Sequence, residues 1–200
     1  MAVVSRGFRG RRAHDARLPP GQYLERGFPV LSAGPTPRAD LGTWDLTIRA
    51  ADGLRGRWTW AELLALPADE VVRDIHCVTK WTKLDSRWRG VSLDRLLDAV
   101  RVEDDERFVL AHCDGGYTTN VPLADLRGGQ AWIAYGYDDG PLPPQHGGPA
   151  RLLVPHLYFW KSAKWVRSLE LLTEEVWGFW ELLGYHEYGD PWKEQRYWGD

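Results

Sequence analysis

The chain has only two cysteines in 200 residues. Two thiols cannot build the disulfide framework of a small secreted domain. They cannot supply a four-cysteine iron–sulfur set, and no Cys-x-x-Cys-His run is present for covalent haem. No stretch approaches 18 consecutive apolar residues, which argues against a transmembrane helix. Neither G-x-x-x-x-G-K-[ST] nor G-x-G-x-x-G occurs, so the familiar phosphate loop and dinucleotide fingerprint are missing. Excess positive charge is also lacking: 25 basic against 28 acidic residues give net charge -3, unlike a dedicated nucleic-acid binder. What remains is a globular composition with one oddity, 12 tryptophans. Trp is rigid and carries one N–H donor, so it suits the core and the walls of deep pockets.

Residues 1–20 carry Arg6, Arg9, Arg11, Arg12 and Arg17 against one acid, Asp15, and read as a basic, solvated arm. No apolar run follows Arg11-Arg12, as a twin-arginine export signal requires, so a cytoplasmic protein is expected. Residues 19–42 are dense in Pro and Gly and are expected to run extended over the surface. Residues 21–200 are expected to form one domain. TWDLTIRA (43–50) alternates like a half-buried strand, with Asp52-Gly53 and Gly56 marking a turn after it. Thr59 and Glu62 spell a capping box for a helix that stops before Pro67. Ser92 caps a second helix through Leu93, Leu96, Leu97 and Val100. Strands are expected at 71–78, 107–113, 151–155 and 165–172, with a turn at Asp114-Gly115-Gly116. Short strands and shorter helices between many Gly/Pro loops give a mixed α+β fold. The Trp-bearing segment 176–200 is expected to pack on the body.

His76-Cys77 and His112-Cys113 are identical dipeptides at two strand ends. A Cys2His2 zinc site fits poorly, because neighbours on a strand point to opposite faces. Buried apolar packing suits both cysteines. Cys77 has a further reading. It leaves its strand into Val-Thr-Lys80-Trp81, and Lys80, Lys83 and Arg73 would favour its thiolate, the form that acts as nucleophile or soft-metal ligand. The second loaded segment is Leu142-Pro-Pro-Gln-His146-Gly-Gly-Pro149, which runs into Arg151. Lys161-Ser162-Ala163-Lys164 follows, with two ammonium groups in a small-residue turn. An anionic ligand such as a phosphorylated cofactor would use these groups; a solvated basic face is the alternative.

Asp74-Ile-His76-Cys77-Val-Thr-Lys80-Trp81, followed by Trp88-Arg-Gly90 and Leu96-Leu97, resembles the molybdenum-ligand segment of the sulfite oxidase fold family. Residues 142–155 with Lys161–Lys164 resemble that family's pterin- and phosphate-binding segment. The nearest branch is the small bacterial one that includes the catalytic subunit of a periplasmic methionine sulfoxide reductase. The resemblance covers roughly residues 20–175. It implies a mostly β, sulfite oxidase-type molybdopterin-binding fold with short helices. It implies that Cys77 is the metal ligand and that molybdenum–molybdopterin is the cofactor. By the same match Arg151, Ser162, Ala163 and Lys164 hold the cofactor. His146 stands in place of Asn, and Cys113 in place of a cofactor-contacting Thr. Phe28 and Val30 fall in the pterin-wrapping loop, and His76 neighbours the ligand.

Asp114 and Lys80 become polar contacts near the metal, with Asp114 equally readable as a turn residue. Tyr117, Trp81 and Trp88 become pocket-wall or core residues. The implied activity is oxygen-atom transfer on a small sulfur or nitrogen compound, with a separate electron-transfer protein as partner. A non-catalytic cofactor carrier and a metal-free thiol enzyme using Cys77 remain open beside it.

Overall fold

The computed structural model describes residues 16–200. Most of the basic arm therefore lies outside the described residues. Within it, Arg17 donates to Asp74 at 2.9 Å and to Asp85 at 2.7 Å.

Two sheets face each other across the main core. One contains β1 (Tyr23–Leu24), β4 (Asp69–His76), β5 (Trp81–Ser92), β8 (Trp132–Tyr137), β9 (Gly140–Pro141) and β10 (Arg151–Leu153). The other runs in the order β3 (Gly53–Thr59), β2 (Asp45–Ala50), β11 (Val166–Leu172), β6 (Phe108–Cys113), β7 (Thr118–Pro122). Strand β2 buries Leu46, Ile48 and Ala50, the face expected from its alternation. Thr59 and Glu62 close their capping box at the start of α1 (Trp60–Ala65), and Ser92 caps α2 (Leu93–Asp98). Leu63, Leu93, Leu96 and Leu97 from these helices join the main core. A smaller cluster of Ile75, Cys77, Trp81, Trp88, Trp132 and Leu153 packs apart from it.

Two expectations are corrected. The residues around Gly56 form β3, an edge strand, and only Ala51-Asp52 make the turn. The residues from Trp81 onward, where no strand is expected, form β5, twelve residues long and paired with β1, β4 and β8. Its buried positions Ser86, Trp88 and Gly90 alternate with Asp85, Arg87 and Arg89, which face solvent. Ser and Gly do not register as apolar, so the period of two is hidden in the sequence.

The segment 19–42 does run extended over the body, anchored by β1 on β5. Near the other end of the chain, α3 (Phe179–Leu182) docks on β7. Gly178 makes this approach possible: a Cβ there would stand 2.5 Å from the Thr118 carbonyl oxygen. Among the described residues no helix is long and apolar enough to cross a membrane.

Candidate active site

A cavity of about 550 Å³ opens where five segments meet. They are the Cys77–Trp81 turn, the Asp114–Tyr117 turn, the strap around residues 28–37, the stretch from His146 to Trp165, and α3 with Tyr185. Cys77 stands at the end of β4 on the cavity wall. Its N–H donates to the Trp81 carbonyl at 2.8 Å and its own carbonyl accepts from Lys80 N at 2.9 Å, closing a tight turn. Lys80 takes φ 76 to complete it. The Cys77 Sγ lies 3.1 Å from Thr79 Oγ1.

The thiol's environment differs from the expectation. Lys83 donates to the Arg26 carbonyl at 3.0 Å and Arg73 to the Val72 carbonyl at 2.9 Å, and neither Lys80, Lys83 nor Arg73 lines the cavity. Burial instead pushes the Cys77 thiol up. A thiol held this way is a poor nucleophile on its own, whereas a bound metal ion would deprotonate it outright.

Arg151 is 1% exposed and lines the same cavity. It donates to the carbonyls of His146, at 2.7 Å, and Ser162. Its guanidinium sits 4.0 Å from the centroid of Phe159. Among the described residues no carboxylate pairs with it. Burial without a counter-charge pulls its pKa down to about 9. Lys164 is similar, donating to the carbonyls of Leu31 at 2.6 Å and Gln145 at 2.7 Å. Burial first, and then Arg151, pull it down to about 8. His146 stacks on Phe28 with ring centroids 3.8 Å apart, and burial drops its pKa to about 4. Its Nδ1 and the indole N–H of Trp81 are buried without partners. Gly147, at φ 112, lets the 142–149 loop close on this cluster: a Cβ would sit 3.1 Å from Lys164 Cα and Arg151 Cβ. A buried guanidinium, a half-buried ammonium and two unpartnered polar nitrogens at one cavity are the donor set of an anionic, heteroatom-rich ligand.

Of the residues singled out in the sequence, Phe28, Cys77, Asp114, Tyr117, His146, Arg151, Ser162, Ala163 and Lys164 line the cavity together. Val30, His76, Lys80 and Cys113 do not. Val30 is on the outer side of the strap, 52% exposed. His76 is buried against Thr82, its Nδ1 2.9 Å from Oγ1, and burial drops its pKa to about 4. Cys113 belongs to the main core, where burial lifts its thiol to about 12. Trp88 packs beneath the wall, its ring 5.7 Å from the Arg151 guanidinium. Lys161 turns inward, away from the cavity, to pair with Glu181 at 2.7 Å, so the 161–164 turn offers one ammonium group and not two. Among the described residues no three His, Cys, Asp or Glu side chains converge on a metal position. His112 is held 2.7 Å from Glu170.

Sequence reasoning missed much of the aromatic wall: Phe159, Trp160, Trp165, Phe179, Trp180 and Tyr185. The density of Tyr, Phe and Trp in 158–165 is the signal that could have pointed there.

The fold resembles the crystal structure of the sulfane dehydrogenase SoxCD from Paracoccus pantotrophus, with TM-score 0.63 and 20% identity over 70% of this chain and 41% of that one. An uncharacterized oxidoreductase of Bacillus subtilis (strain 168), YuiH, is 40% identical, covering 92% of this chain and 93% of its own length. A putative protein-methionine-sulfoxide reductase subunit of Azospira oryzae, YedZ1, is 30% identical over 75% of this chain. The catalytic subunit MsrP of a protein-methionine-sulfoxide reductase from Pseudomonas syringae pv. tomato is 24% identical over 82% of it. The chain spans 57% and 53% of the lengths of these last two. With residues 33–180 matching the model of the oxidoreductase molybdopterin binding domain, the chain belongs to that family, and its cofactor is molybdenum–molybdopterin.

Proposed function

We propose that this oxidoreductase carries out oxygen-atom transfer on a small sulfur or nitrogen compound, and that it works as a reductase of S- or N-oxides. The observation that carries the reading is the placement of the Cys77 thiol and the uncompensated Arg151 guanidinium on the walls of one cavity. Cys77 would be the protein's ligand to molybdenum, its soft sulfur joining those of the pterin dithiolene. Arg151 and Lys164 would hold the cofactor's phosphate, with His146, Ser162 and the strap along the pterin. The bound cofactor supplies two-electron exchange of an oxygen atom.

The chain's own residues do the rest. The Cys77–Trp81 turn fixes the Cys77 backbone by two hydrogen bonds, and Thr79 Oγ1 lies 3.1 Å from its sulfur. Tyr117 donates to the Trp160 carbonyl at 2.7 Å, and burial holds its hydroxyl protonated well above the ordinary range, so it shapes the wall and is not a base. Asp114 is the one carboxylate in the lining and can accept a hydrogen bond from a bound molecule. The aromatic side chains exclude water and strengthen the electrostatics inside.

Support for the reductive direction comes from the relatives, two of which are named as subunits of protein-methionine-sulfoxide reductases. Those names also support a separate electron-transfer partner. The test is turnover of the fully metallated protein with a reduced dye against S- and N-oxides, and with ferricyanide against sulfite. Reduction of an oxide is the expected result. Sulfite oxidation alone would reverse the direction. A metal that changes oxidation state without turnover of either class would favour a cofactor carrier.

A further inference from the structure

Five aromatic side chains close a circuit on the α3 side of the cavity. Tyr117 and Phe179 have centroids 5.9 Å apart, Phe179 and Trp180 5.0 Å, Trp180 and Tyr185 4.9 Å, and Tyr185 and Trp160 5.2 Å. The Tyr117 hydroxyl completes it on the Trp160 carbonyl at 2.7 Å. The Trp160 indole is fixed in turn, its N–H donating to buried Glu181 at 2.9 Å. All five rings line the cavity, and Phe179 is 37% exposed at its outer edge.

Charge distinguishes this rim from a plain apolar wall. The charged residues of the lining are Asp114, Arg151 and Lys164. The two cations are the groups that would be consumed by the cofactor's phosphate. Asp114 keeps much of its charge: its nearest cation, Arg167, stands 3.7 Å away and pairs more closely with Asp45 at 2.7 Å. Aromatic rings and an incompletely paired carboxylate lining one cavity are groups that attract a cation.

We propose that this rim is a binding subsite for an alkylated cationic group, a methylated ammonium or sulfonium, at the non-reacting end of the substrate. The substrate class is then an S- or N-oxide that carries such a group away from the oxidised atom. A sulfoxide with such a group elsewhere in the molecule fits: at sulfur it takes up two electrons from the redox partner and two protons, releases its oxygen as water, and leaves a thioether whose cationic end is unchanged. The inference rests on the proposed reading in one respect, that substrate enters this cavity. Its test is binding and not turnover, so the two can fail separately.

The experiment is a ligand-observed NMR titration of the metallated protein with choline and with its neutral isostere 3,3-dimethylbutan-1-ol. Choline should bind about tenfold more tightly than the isostere, the order expected of a partly desolvated cation–π site. Trp180→Leu and Asp114→Asn should each weaken choline about fivefold or more, and leave the isostere within about twofold. The two substitutions remove different attractions, and cofactor content checks the fold of each. Equal affinity for the two probes, binding of neither, or choline binding unchanged in both variants would overturn the subsite.

Discussion

Lys161 and Glu181 form a fully buried ion pair of 2.7 Å that joins the loop after β10 to α3. The Lys161 ammonium also donates to the Asn120 carbonyl and side-chain oxygens at 2.9 and 2.8 Å, while Glu181 accepts from Thr119 Oγ1 and Trp160 Nε1, both at 2.9 Å. Removing one partner strands the other charge in the core. Lys161→Met should therefore cost about 3–5 kcal/mol of stability. Urea unfolding measures it, and a loss below about 1 kcal/mol would show that the pair does not hold α3 in place.

The anion grip can be measured through cofactor content. Charge-assisted contacts are each worth about 1.5–3 kcal/mol. The Arg151→Ala, Lys164→Ala double variant should lose roughly 10²–10⁴ in pterin affinity and purify mostly without cofactor. A full pterin complement in that variant would place the phosphate elsewhere.

Lys164 gives this grip a pH dependence. Burial lowers its pKa to about 8 from the ordinary 10.5. A bound dianion raises that value again, so affinity is full below about 8 and falls as pH rises through it. Sulfate, whose charge is constant over this range, should bind the cofactor-free protein progressively less tightly from pH 8 to 9.5, by up to about tenfold per unit. Lys164→Met should remove the fall that begins near 8 and leave only the later one set by Arg151 near 9. Without an anion the sign reverses for stability. Between about 8 and 10.5 the unfolded chain binds more protons, so the cofactor-free protein should gain stability with rising pH.

Gly147→Ala tests the loop that closes on the two cations. The residue would need a left-handed backbone and would press its Cβ on Lys164 and Arg151 at 3.1 Å. A destabilisation of about 1–3 kcal/mol and reduced pterin content are expected. Wild-type pterin content would show that the loop's approach is not needed to hold the cofactor.

How far the sequence reaches is clearest at particular residues. Both helix caps are legible because Thr59, Glu62 and Ser92 act locally, within three residues of the N–H groups they satisfy. Strands β2, β6 and β11 are legible where their buried faces are aliphatic. Strand β5 is hidden, since its burial falls on Ser86 and Gly90, and only pairing with β4 and β8 shows it. Cys77 and Arg151 are marked by their segments. That they meet one cavity follows from the β4–β5 hairpin and β10 lying in one sheet. Lys161 and Lys164 look equivalent in sequence. Nothing local says that Lys161 turns inward to Glu181, twenty residues on, while Lys164 reaches the strap. The aromatic rim depends on α3 docking beside the Asp114–Tyr117 turn, a long-range contact that composition alone does not disclose.

The central claim is that Cys77 ligates molybdenum in this cavity. X-ray absorption at the molybdenum edge, on the wild-type protein and on Cys77→Ser, tests it most directly. The expected result is that Cys77→Ser keeps its pterin but loses one sulfur from the metal's coordination shell, or loses the metal, while Cys113→Ser, altered in the core and off the cavity wall, keeps the wild-type shell. An unchanged sulfur shell in fully metallated Cys77→Ser would contradict the assignment.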